Sequence, residues 1–555
     1  MIMADNVAMN DKTSAANRND YDAVIIGGGF AGLYMLHRLR QIGLSARAVE
    51  SGNGVGGTWY WNRYPGARCD AESLVYSYSF NTEIEQKWEW SERYSTQAEI
   101  LEYIEHVAKE LDLNKHISLN TRVISAMFDE NLKQWNIETD NGDKLVGQFC
   151  IMATGCLSVP SIPEINGLDS FLGPIYYASQ WPHEKIDFNG KKVGIIGTGS
   201  SAIQTIPEIA KETEHLTVFQ RTANYSVPAN NRPLDADFVK GFKAEYPAHR
   251  KHQRLGTISG FGGLELPLKE ALITTQAAEG LSDEAVQSVL EEYWQVGGAR
   301  FQAAFTDALT NERTNQLFGN FIKDKIRSIV NDRETAEVLC PNSHPFGTKR
   351  ICVDTNYFET FNRDNVTLVD IKASPISCIN ETGLETKDRK YHFDELILAT
   401  GFDAMTGALN KIDIVGRGGQ TLFDKWSEGP RSYLGLQVEG FPNLFTITGP
   451  GSPSVLSNML ISIEQHVEWV SDLIKSMLDE EYRVVEAEKA SEDQWVEHVN
   501  EVANATMYPK GGSWYLGANI PGKPRIFMPY AAGVGQYREL CDKVRDNEYE
   551  GFTFT

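Results

Sequence analysis

The sequence contains few basic residues relative to acidic ones, and it has no long apolar run. Fifty-two lysines and arginines stand against 75 aspartates and glutamates, which gives a formal net charge of −23. A charge of this sign argues against nucleic acid or an anionic membrane as a general partner. No apolar run is long enough to span a bilayer, so no membrane span is expected. Residues 1–20 are polar and lack the apolar core of a signal peptide, which favours a flexible tail.

Paired cysteines and clustered histidines are missing as well. The seven cysteines are scattered without CxxC spacing, which favours reduced thiols in a cytoplasmic protein over disulfides or a zinc site. There is no HExxH motif and no histidine cluster, so no metal is expected. The length of 555 residues allows two or three domains. The informative features of this chain are two glycine-rich turns.

The first turn follows the apolar residues 23–26 and precedes a predicted helix. Gly27, Gly29 and Gly32 complete a GxGxxG motif, which permits a tight turn, close approach of a pyrophosphate and close helix packing. Glu50 ends the next apolar run. A carboxylate there accepts hydrogen bonds from a ribose diol and repels a 2′-phosphate. This turn therefore suits FAD or NAD.

The second turn repeats the pattern with one change of charge. Gly197, Gly199 and Ala202 give GxGxxA, and the following strand ends in Arg221 and Thr222 instead of an acid. A guanidinium and a hydroxyl at that place match a 2′-phosphate, so this turn predicts NADP(H). FAD is assigned to the first turn, because a flavin must stay bound while the nicotinamide is exchanged.

The predicted fold class is α/β, with two Rossmann-like dinucleotide-binding domains and a helical insertion in the second. "CIMATG" at 150–155 and "LILATG" at 396–401 are each expected to be a strand that returns the chain to the boundary between the domains. The predicted boundaries are 1–20 for the tail, 21–155 for the first part of the FAD domain, 156–167 for a linker, 168–228 for the first part of the NADP domain, 229–340 for the helical insertion, 341–393 for the second part of the NADP domain, and 394–555 for the second part of the FAD domain, with a mobile loop near 508–525.

Five further motifs point to a family. They are "GGTWYWNRYPGARCD" (56–70), "GTKR" (347–350), "ATGFD" (399–403), "GPGSPSVLSNML" (449–460) and "SWYLGANIPGKPR" (513–525). With the two turns, they make the chain resemble a type I Baeyer–Villiger monooxygenase over nearly its whole length after residue 20. "GPGSPS" is more similar to phenylacetone- and steroid-type members than to cyclohexanone-type members.

The resemblance implies an NADPH- and O2-dependent flavoprotein that converts ketones to esters or lactones. It implies a C4a-peroxyflavin and a tetrahedral Criegee intermediate, and Arg350 and Asp70 as the catalytic pair. An arginine stays protonated at any working pH, so it can stabilise the developing oxyanion. Asp70 would orient that guanidinium. The implied partners are a small ketone and O2, and the protein is expected to be a monomer.

The resemblance and the turns together predict three sets of contacts. The FAD contacts are Gly27, Gly29, Gly32, Glu50, Gly57, Thr58, Trp59, Asp70, Tyr76, Val123 and Met459. The NADP contacts are Arg68, Cys69, Thr198, Gly199, Ser200, Ser201, Ala202, Gln204, Arg221, Thr222, Lys349, Arg350 and Trp514. The substrate-pocket residues are Ser454, Val455 and Leu456.

The stretch "FLGPIYYASQWP" (171–182) resembles the family fingerprint F-x-G-x-x-x-H-x-x-x-W with one departure. Phe171, Gly173 and Trp181 match, and Tyr177 occupies the histidine position. One interpretation is that a tyrosine hydroxyl replaces a structural hydrogen bonder, so Tyr177 is expected to hydrogen-bond across the linker. The other is that loss of a titrating imidazole alters how domain movement responds to NADP. Both stay open at this point.

Three other functions use the same two turns. A related flavin monooxygenase oxidises amine nitrogen or sulfide sulfur. A flavin disulfide reductase needs a cysteine pair near the flavin, and Cys69 has no neighbouring cysteine in the sequence. The third is a non-enzymatic NADP(H)-binding sensor or interaction module, which would be eliminated if the purified yellow protein consumed NADPH faster when a ketone is added. The Arg350 and Asp70 motifs favour oxidation of a ketone.

Overall fold

The computed structural model describes residues 18–255 and 276–555. Its first sheet has eight strands, in the order β17-β4-β5-β6-β1-β2-β3 with β18 beside β6. The strands are β1 (Arg18–Ile26), β2 (Ala46–Val49), β3 (Ile117–Ser118), β4 (Val123–Asp129), β5 (Gln134–Thr139), β6 (Lys144–Met152), β17 (Asp413–Val415) and β18 (Leu444–Thr446). Strands β1, β2, β6 and β18 pair in parallel, and the chain crosses between β1 and β2 through helix α1 (Phe30–Gln41).

Strand β1 begins earlier than the sequence suggested. Its first residues, from Arg18 onward, pair with the start of β6 at Lys144. The predicted tail of 1–20 therefore extends too far, because polar residues can form a strand once a neighbouring strand supplies their backbone partners. Residues 1–17 lie outside the described part of the chain.

The second sheet has five parallel strands in the order β12-β9-β8-β16-β7. They are β7 (Ile175–Tyr177), β8 (Lys192–Ile196), β9 (His215–Gln220), β12 (Val366–Asp370) and β16 (Glu395–Leu398). Strand β16 pairs with β8 just as β6 pairs with β1. The predicted boundary at 393 thus falls one strand too early. The apolar sequence of a buried strand does not specify which sheet the strand joins. In this structure Leu396 and Leu398 pack in the core of the second sheet.

The remaining strands form small sheets. Strands β10 (Ser226–Pro228) and β11 (Cys352–Asp354) pair where the chain leaves and re-enters the second domain. Strands β13 (Ile376–Asn380), β14 (Gly383–Thr386) and β15 (Lys390–His392) form an antiparallel meander. Strands β19 (Val485–Ala487) and β20 (Phe552–Phe554) pair near the C-terminus.

Helices cover both sheets and fill the insertion. The first domain carries α2 (Thr58–Trp61), α3 (Thr82–Lys87) and α4 (Gln97–Glu110), and the second carries α5 (Ser200–Ile209) and α11 (Tyr357–Thr360). The C-terminal part carries α12 (Leu422–Lys425), α13 (Met459–Asp479), α14 (Lys489–Asn504) and α15 (Val534–Asp546). No helix in these ranges is both long enough and apolar enough to cross a membrane.

The insertion between β10 and β11 is helical where it is described. It contains α6 (Ala236–Ala244), α7 (Tyr246–Arg254), α8 (Asp283–Val296), α9 (Glu312–Ile329) and α10 (Arg333–Leu339), while residues 256–275 lie outside the described residues. Ser282 caps α8 through the amide of Ala285, as its sequence position suggests. Phe318, Ile322 and Ile326 are fully buried on one face of α9. The same buried cluster includes residues of both dinucleotide domains.

Candidate functional site

The first glycine turn has the geometry that only glycine allows. Gly27 has φ of +118°, and a Cβ there would lie 2.3 Å from the carbonyl oxygen of Ala153. A Cβ on Gly32 would lie 1.9 Å from the carbonyl oxygen of Gly27. The turn is therefore pressed between α1 and the end of β6. Gly29 precedes α1 without a side-chain cap, so the amides at the start of this helix are available to an anion.

Glu50 is buried directly after β2, with 5% of its surface exposed. Its Oε2 accepts a 2.7 Å hydrogen bond from the amide of Gly28, and its Oε1 accepts one of 2.7 Å from the amide of Gly52. These bonds fix the carboxylate beside the turn. An ionised carboxylate has about four acceptor positions, so it retains acceptors for a ribose diol.

The loop after Glu50 brings a second glycine to the turn. Gly57 has φ of +53°, and a Cβ on Gly29 would lie 3.4 Å from its Cα. Thr58 then begins α2. Trp59 is buried and donates a 3.1 Å hydrogen bond from Nε1 to the hydroxyl of Tyr76. Met459 begins α13 and packs against the same core. Val123, by contrast, is buried in a different core cluster at the start of β4.

The second turn reproduces the first. Gly197 also has φ of +118°, and a Cβ there would lie 2.3 Å from the carbonyl oxygen of Ala399. Thr198 Oγ1 donates a 3.0 Å hydrogen bond to the carbonyl of Thr222, which ties the turn to the end of β9. Ser200 Oγ lies 3.3 Å from Cys352 Sγ. Gly199 precedes α5 without a side-chain cap, Ser201 lies in its first turn, and Ala202 is fully buried.

Two cations lie beside this turn. Arg221 is exposed just past β9, and Lys349 is half-buried. Burial and then the nearby charge of Arg221 lower the pKa of the Lys349 ammonium. Within residues 18–255 and 276–555, neither cation forms a salt bridge with an acid. Two neighbouring cations without acidic partners match the charge of a 2′-phosphate.

Gln204 and Arg68 are engaged in contacts between the domains. Gln204 Oε1 accepts a 3.0 Å hydrogen bond from the hydroxyl of Tyr64, and its Nε2 donates one of 3.2 Å to the carbonyl of Arg68. A Cβ on Gly66 would lie 2.4 Å from the carbonyl oxygen of Gln204. Arg68 itself pairs with Glu92 at 2.9 Å. Helix α5 is thus held against the loop that leads through Cys69, which is buried, to Asp70.

Arg350 and Asp70 form a two-pronged ion pair between the domains. Arg350 Nε lies 2.5 Å from Asp70 Oδ2, and its Nη2 lies 2.9 Å from Oδ1. Burial acts to raise the pKa of Asp70, but the charge and hydrogen bonds of Arg350 hold that pKa below its usual value. Burial acts to lower the pKa of Arg350, and Asp70 raises it above the usual value. The pair therefore remains charged across the working range of pH.

The backbone of the predicted substrate pocket supplies a third contact to Arg350. Its Nη1 donates a 2.6 Å hydrogen bond to the carbonyl of Val455. Val455 and Leu456 are buried together with Met405 and Tyr515 in one apolar cluster. Ser454 is buried with φ of +41°, which is unusual for a residue with a side chain. The motif "SPSVL" thus shapes the apolar cluster and also fixes the arginine.

Two features of the C-terminal loop were not predicted from the sequence. Tyr515 is buried beside Arg350. Burial raises the pKa of the Tyr515 hydroxyl above its usual value, and the charge of Arg350 offsets part of this rise. Lys523 Nζ pairs with Asp403 at 2.6 Å, so the loop is fastened to "ATGFD". Both motifs were visible in the sequence, but nothing in it showed that they touch. Trp514 is half-buried, with its ring centroid 4.4 Å from that of Tyr515.

The "FLGPIYYASQWP" stretch contains β7 (Ile175–Tyr177), the edge strand of the second sheet. A Cβ on Gly173 would lie 2.2 Å from the carbonyl oxygen of Asp394, which explains the glycine. Trp181 is buried, and its ring lies 5.4 Å from that of Tyr176. Tyr177 points to the opposite face, as alternate strand residues do, and packs in the cluster of Phe171.

The predicted hydrogen bond of Tyr177 across the linker is wrong for the described residues. None of them forms a hydrogen bond with its hydroxyl, whereas other tyrosines of the site, such as Tyr64 and Tyr76, do so. The physical reason is the strand itself. Pairing of β7 with β16 packs the half-buried ring against an apolar cluster, so Tyr177 contributes packing where the fingerprint has a histidine.

Comparison with known proteins gives one family-model match, two related proteins and one related solved structure. Residues 24–241 match a family model described as pyridine nucleotide-disulphide oxidoreductase. A Baeyer-Villiger monooxygenase of Pseudooceanicola batsensis is 42% identical over 544 residues, 97% of this chain and 97% of that protein. A phenazine N-monooxygenase of Lysobacter antibioticus is 40% identical over 548 residues, 98% of this chain and 97% of that protein. Among solved structures, an oxidized steroid monooxygenase bound to NADP is 48% identical with a TM-score of 0.91, covering 97% of this chain and 99% of that one.

Proposed function

Because this chain belongs to the type I Baeyer–Villiger monooxygenases, flavoproteins that use FAD and NADPH to convert ketones to esters or lactones, we propose that Arg350 and Asp70 are its catalytic pair. The observation that carries this proposal is the two-pronged ion pair at 2.5 and 2.9 Å, closed by the carbonyl of Val455 at 2.6 Å. Three fixed contacts leave the guanidinium a single orientation beside the apolar cluster.

The residues present fit both cofactors. Gly27, Gly29 and Gly32 clear the space that a pyrophosphate needs, and Glu50 retains acceptors for a ribose. Arg221 and Lys349 supply charge for a 2′-phosphate at the second turn. When bound, NADPH reduces FAD, and the reduced flavin activates O2 for transfer of one oxygen atom to the ketone.

The role proposed for Arg350 follows from its donors. A guanidinium carries five N–H groups, and Asp70 and Val455 take three of them. N–H donors therefore remain for the oxygen of the ketone, which gains negative charge as oxygen is inserted. A donor fixed before reaction stabilises this charge without reorganisation. Asp70 keeps the guanidinium oriented, and the apolar cluster around Tyr515 excludes water.

Arg350→Ala tests the proposal. We expect the variant to retain flavin and to oxidise NADPH, while ester formation falls about 100-fold or more, the usual loss when a preorganised donor is removed. Arg313→Ala is the matched control, because Arg313 also pairs with an aspartate, Asp283, but on the surface of the insertion. Ester formation by Arg350→Ala at the rate of the control would reject the catalytic role.

Oxidation of nitrogen or sulfur is the second candidate activity. The phenazine N-monooxygenase of similar length and 40% identity supports it, because that protein is named for an N-oxidation. Product analysis with a ketone, a tertiary amine and a thioether at equal concentration separates the activities. Disulfide reduction needs a redox-active cysteine pair beside the flavin, and no two of the seven cysteines form a disulfide, so this activity is not proposed.

The substrate class and setting are proposed on narrower grounds. The steroid monooxygenase at 48% identity and the "SPSVL" segment support a bulky ketone of the phenylacetone or steroid type. The seven free cysteines, six of them buried, support a reducing compartment such as the cytoplasm. We further propose a monomer, for which size-exclusion chromatography with light scattering is the direct test.

A further inference from the structure

Asp70 begins a stretch of chain that no sheet holds in place. Residues 70–79, here the 70–79 segment, contain one short 3₁₀ turn at Ser73–Val75 and no strand. Its position relative to Arg350 must therefore come from side chains. The segment also carries Tyr76, which bonds Trp59 at 3.1 Å, so its placement affects both proposed cofactor and catalytic contacts.

Arginines of the second domain and its insertion hold this segment along its length. Arg350 holds Asp70, and Arg300 lies 3.4 Å from Glu72. Arg250 donates to the carbonyl of Val75 at 3.2 Å and to Ser77 Oγ at 2.7 Å.

Arg254 completes the set by donating to Ser79 Oγ at 2.8 Å. The insertion belongs to the second domain in sequence, yet its arginines bind the first domain.

Glu72 is the most deeply buried acid of the segment. Its side chain is 3% exposed, and Arg93 and Arg300 are each 4% exposed. Arg93 Nε lies 2.6 Å from Glu72 Oε1. Arg93 also donates to the carbonyls of Val296, at 2.8 Å, and Ala229, at 3.1 Å. It therefore joins the 70–79 segment to the C-terminal end of α8 and to the chain just past β10.

We propose that Glu72 is a positioning residue, which sets the 70–79 segment so that Asp70 meets Arg350. This inference rests on the proposed role of the Arg350–Asp70 pair. Its physical basis is that buried charges tolerate few arrangements: with two buried guanidinium groups on one carboxylate, a shift of the segment leaves charge uncompensated. Glu72 lies two residues from Asp70, so a shift at one is passed to the other.

Glu72→Gln tests the proposal in the FAD-bound enzyme. The amide keeps the shape and one acceptor but removes the charge. We expect the share of oxidised NADPH that ends as ester to fall about tenfold or more, since displacing a catalytic group by 1 Å can cost about 100-fold. Hydrogen peroxide should take up the difference. Hydrogen–deuterium exchange of a peptide covering the 70–79 segment should quicken, because the amide of Ser73 bonds the carbonyl of Arg93.

The control is a second buried acid between two cations. Glu492 is fully buried and lies 3.3 Å from Lys425 and 3.4 Å from Arg431. Glu492→Gln should lower the melting temperature without changing the ester share or exchange in the 70–79 segment. If Glu72→Gln also lowers only the melting temperature, Glu72 is a structural residue and the proposal is wrong.

Two further variants keep the outcome readable. If Glu72→Gln does not yield folded flavoprotein, Arg300→Gln is tested in its place. Arg93 still neutralises Glu72 in that variant, so it should fold, but one of the two contacts that place the carboxylate is lost. A parental ester share in Arg300→Gln overturns the proposal. Arg350→Ala is measured alongside. Ester formation by Arg350→Ala at the parental rate rejects the proposed catalytic role of Arg350. A loss of about 100-fold or more in Arg350→Ala, together with a parental ester share in Glu72→Gln, rejects only the positioning role of Glu72.

Discussion

Replacing Arg221 with alanine should change the choice between NADPH and NADH. The structure places its guanidinium next to Lys349, close enough to lower the pKa of that ammonium. NADPH differs from NADH only by the 2′-phosphate. A charge-assisted hydrogen bond contributes about 1.5–3 kcal/mol, and each 1.4 kcal/mol is about tenfold in affinity. Arg221→Ala should therefore raise KM for NADPH about tenfold to 100-fold, with the lower figure favoured because Arg221 is exposed.

The pH dependence gives a second measure of the same site. Lys349 loses its charge as pH rises through its lowered pKa, so KM for NADPH should rise with pH in the parent enzyme. Removal of the Arg221 charge raises the pKa of Lys349. The increase in KM should therefore begin at higher pH in Arg221→Ala, although its KM is larger throughout.

The assay is initial-rate NADPH and NADH oxidation with saturating ketone, from pH 7 to 10, at low and high salt. Arg122→Ala is the control. Arg122 is also an exposed arginine, but it lies in the first domain, directly before β4. KM for NADH should stay near the parental value in both variants. Equal increases for NADPH and NADH would refute the reasoning, because a residue that reads the 2′-phosphate cannot affect the dinucleotide that lacks it.

Two further predictions concern the substrate pocket and stability. Val455→Ala should widen the range of ketones that are oxidised and should retain flavin, because the backbone carbonyl that holds Arg350 remains. Deletion of Ser454 and Val455 removes that carbonyl and should lower the rate of oxidation of every ketone. An unchanged product profile in both variants would contradict this. His466 is fully buried, its Nδ1 accepts a hydrogen bond from the amide of Thr448, and burial lowers its pKa to about 3. Stability from this neutral imidazole is complete above pH 6.5 and falls by about 1.4 kcal/mol per pH unit below it, down to about pH 3. Urea unfolding of His466→Gln should show a shallower loss between pH 6.5 and 4, and slopes equal to the parent would contradict the assignment.

The sequence by itself determined the two dinucleotide modules and their charges. Gly27 and Gly197 each have φ of +118° and lie against the backbone that follows a neighbouring strand. No other residue type fits this conformation and space, so both glycines could be recognised in the sequence. Glu50 follows one strand and Arg221 follows the other, and this difference in charge is the basis on which FAD is predicted at the first turn and NADP(H) at the second. These features are local, since each depends on a strand, a turn and a helix that follow one another along the chain.

Only the tertiary structure decided what lies between the modules. Arg350 and Asp70 are 280 positions apart, and no spacing predicts that Val455 closes the same guanidinium. Strand β16 joins the second sheet, and β1 begins at Arg18. Tyr177 packs against an apolar cluster and forms no hydrogen bond across the linker within the described residues. The buried Glu72 cluster was equally invisible. Such contacts join segments through packing and charge compensation at long range, and the sequence of each segment alone does not specify its partner.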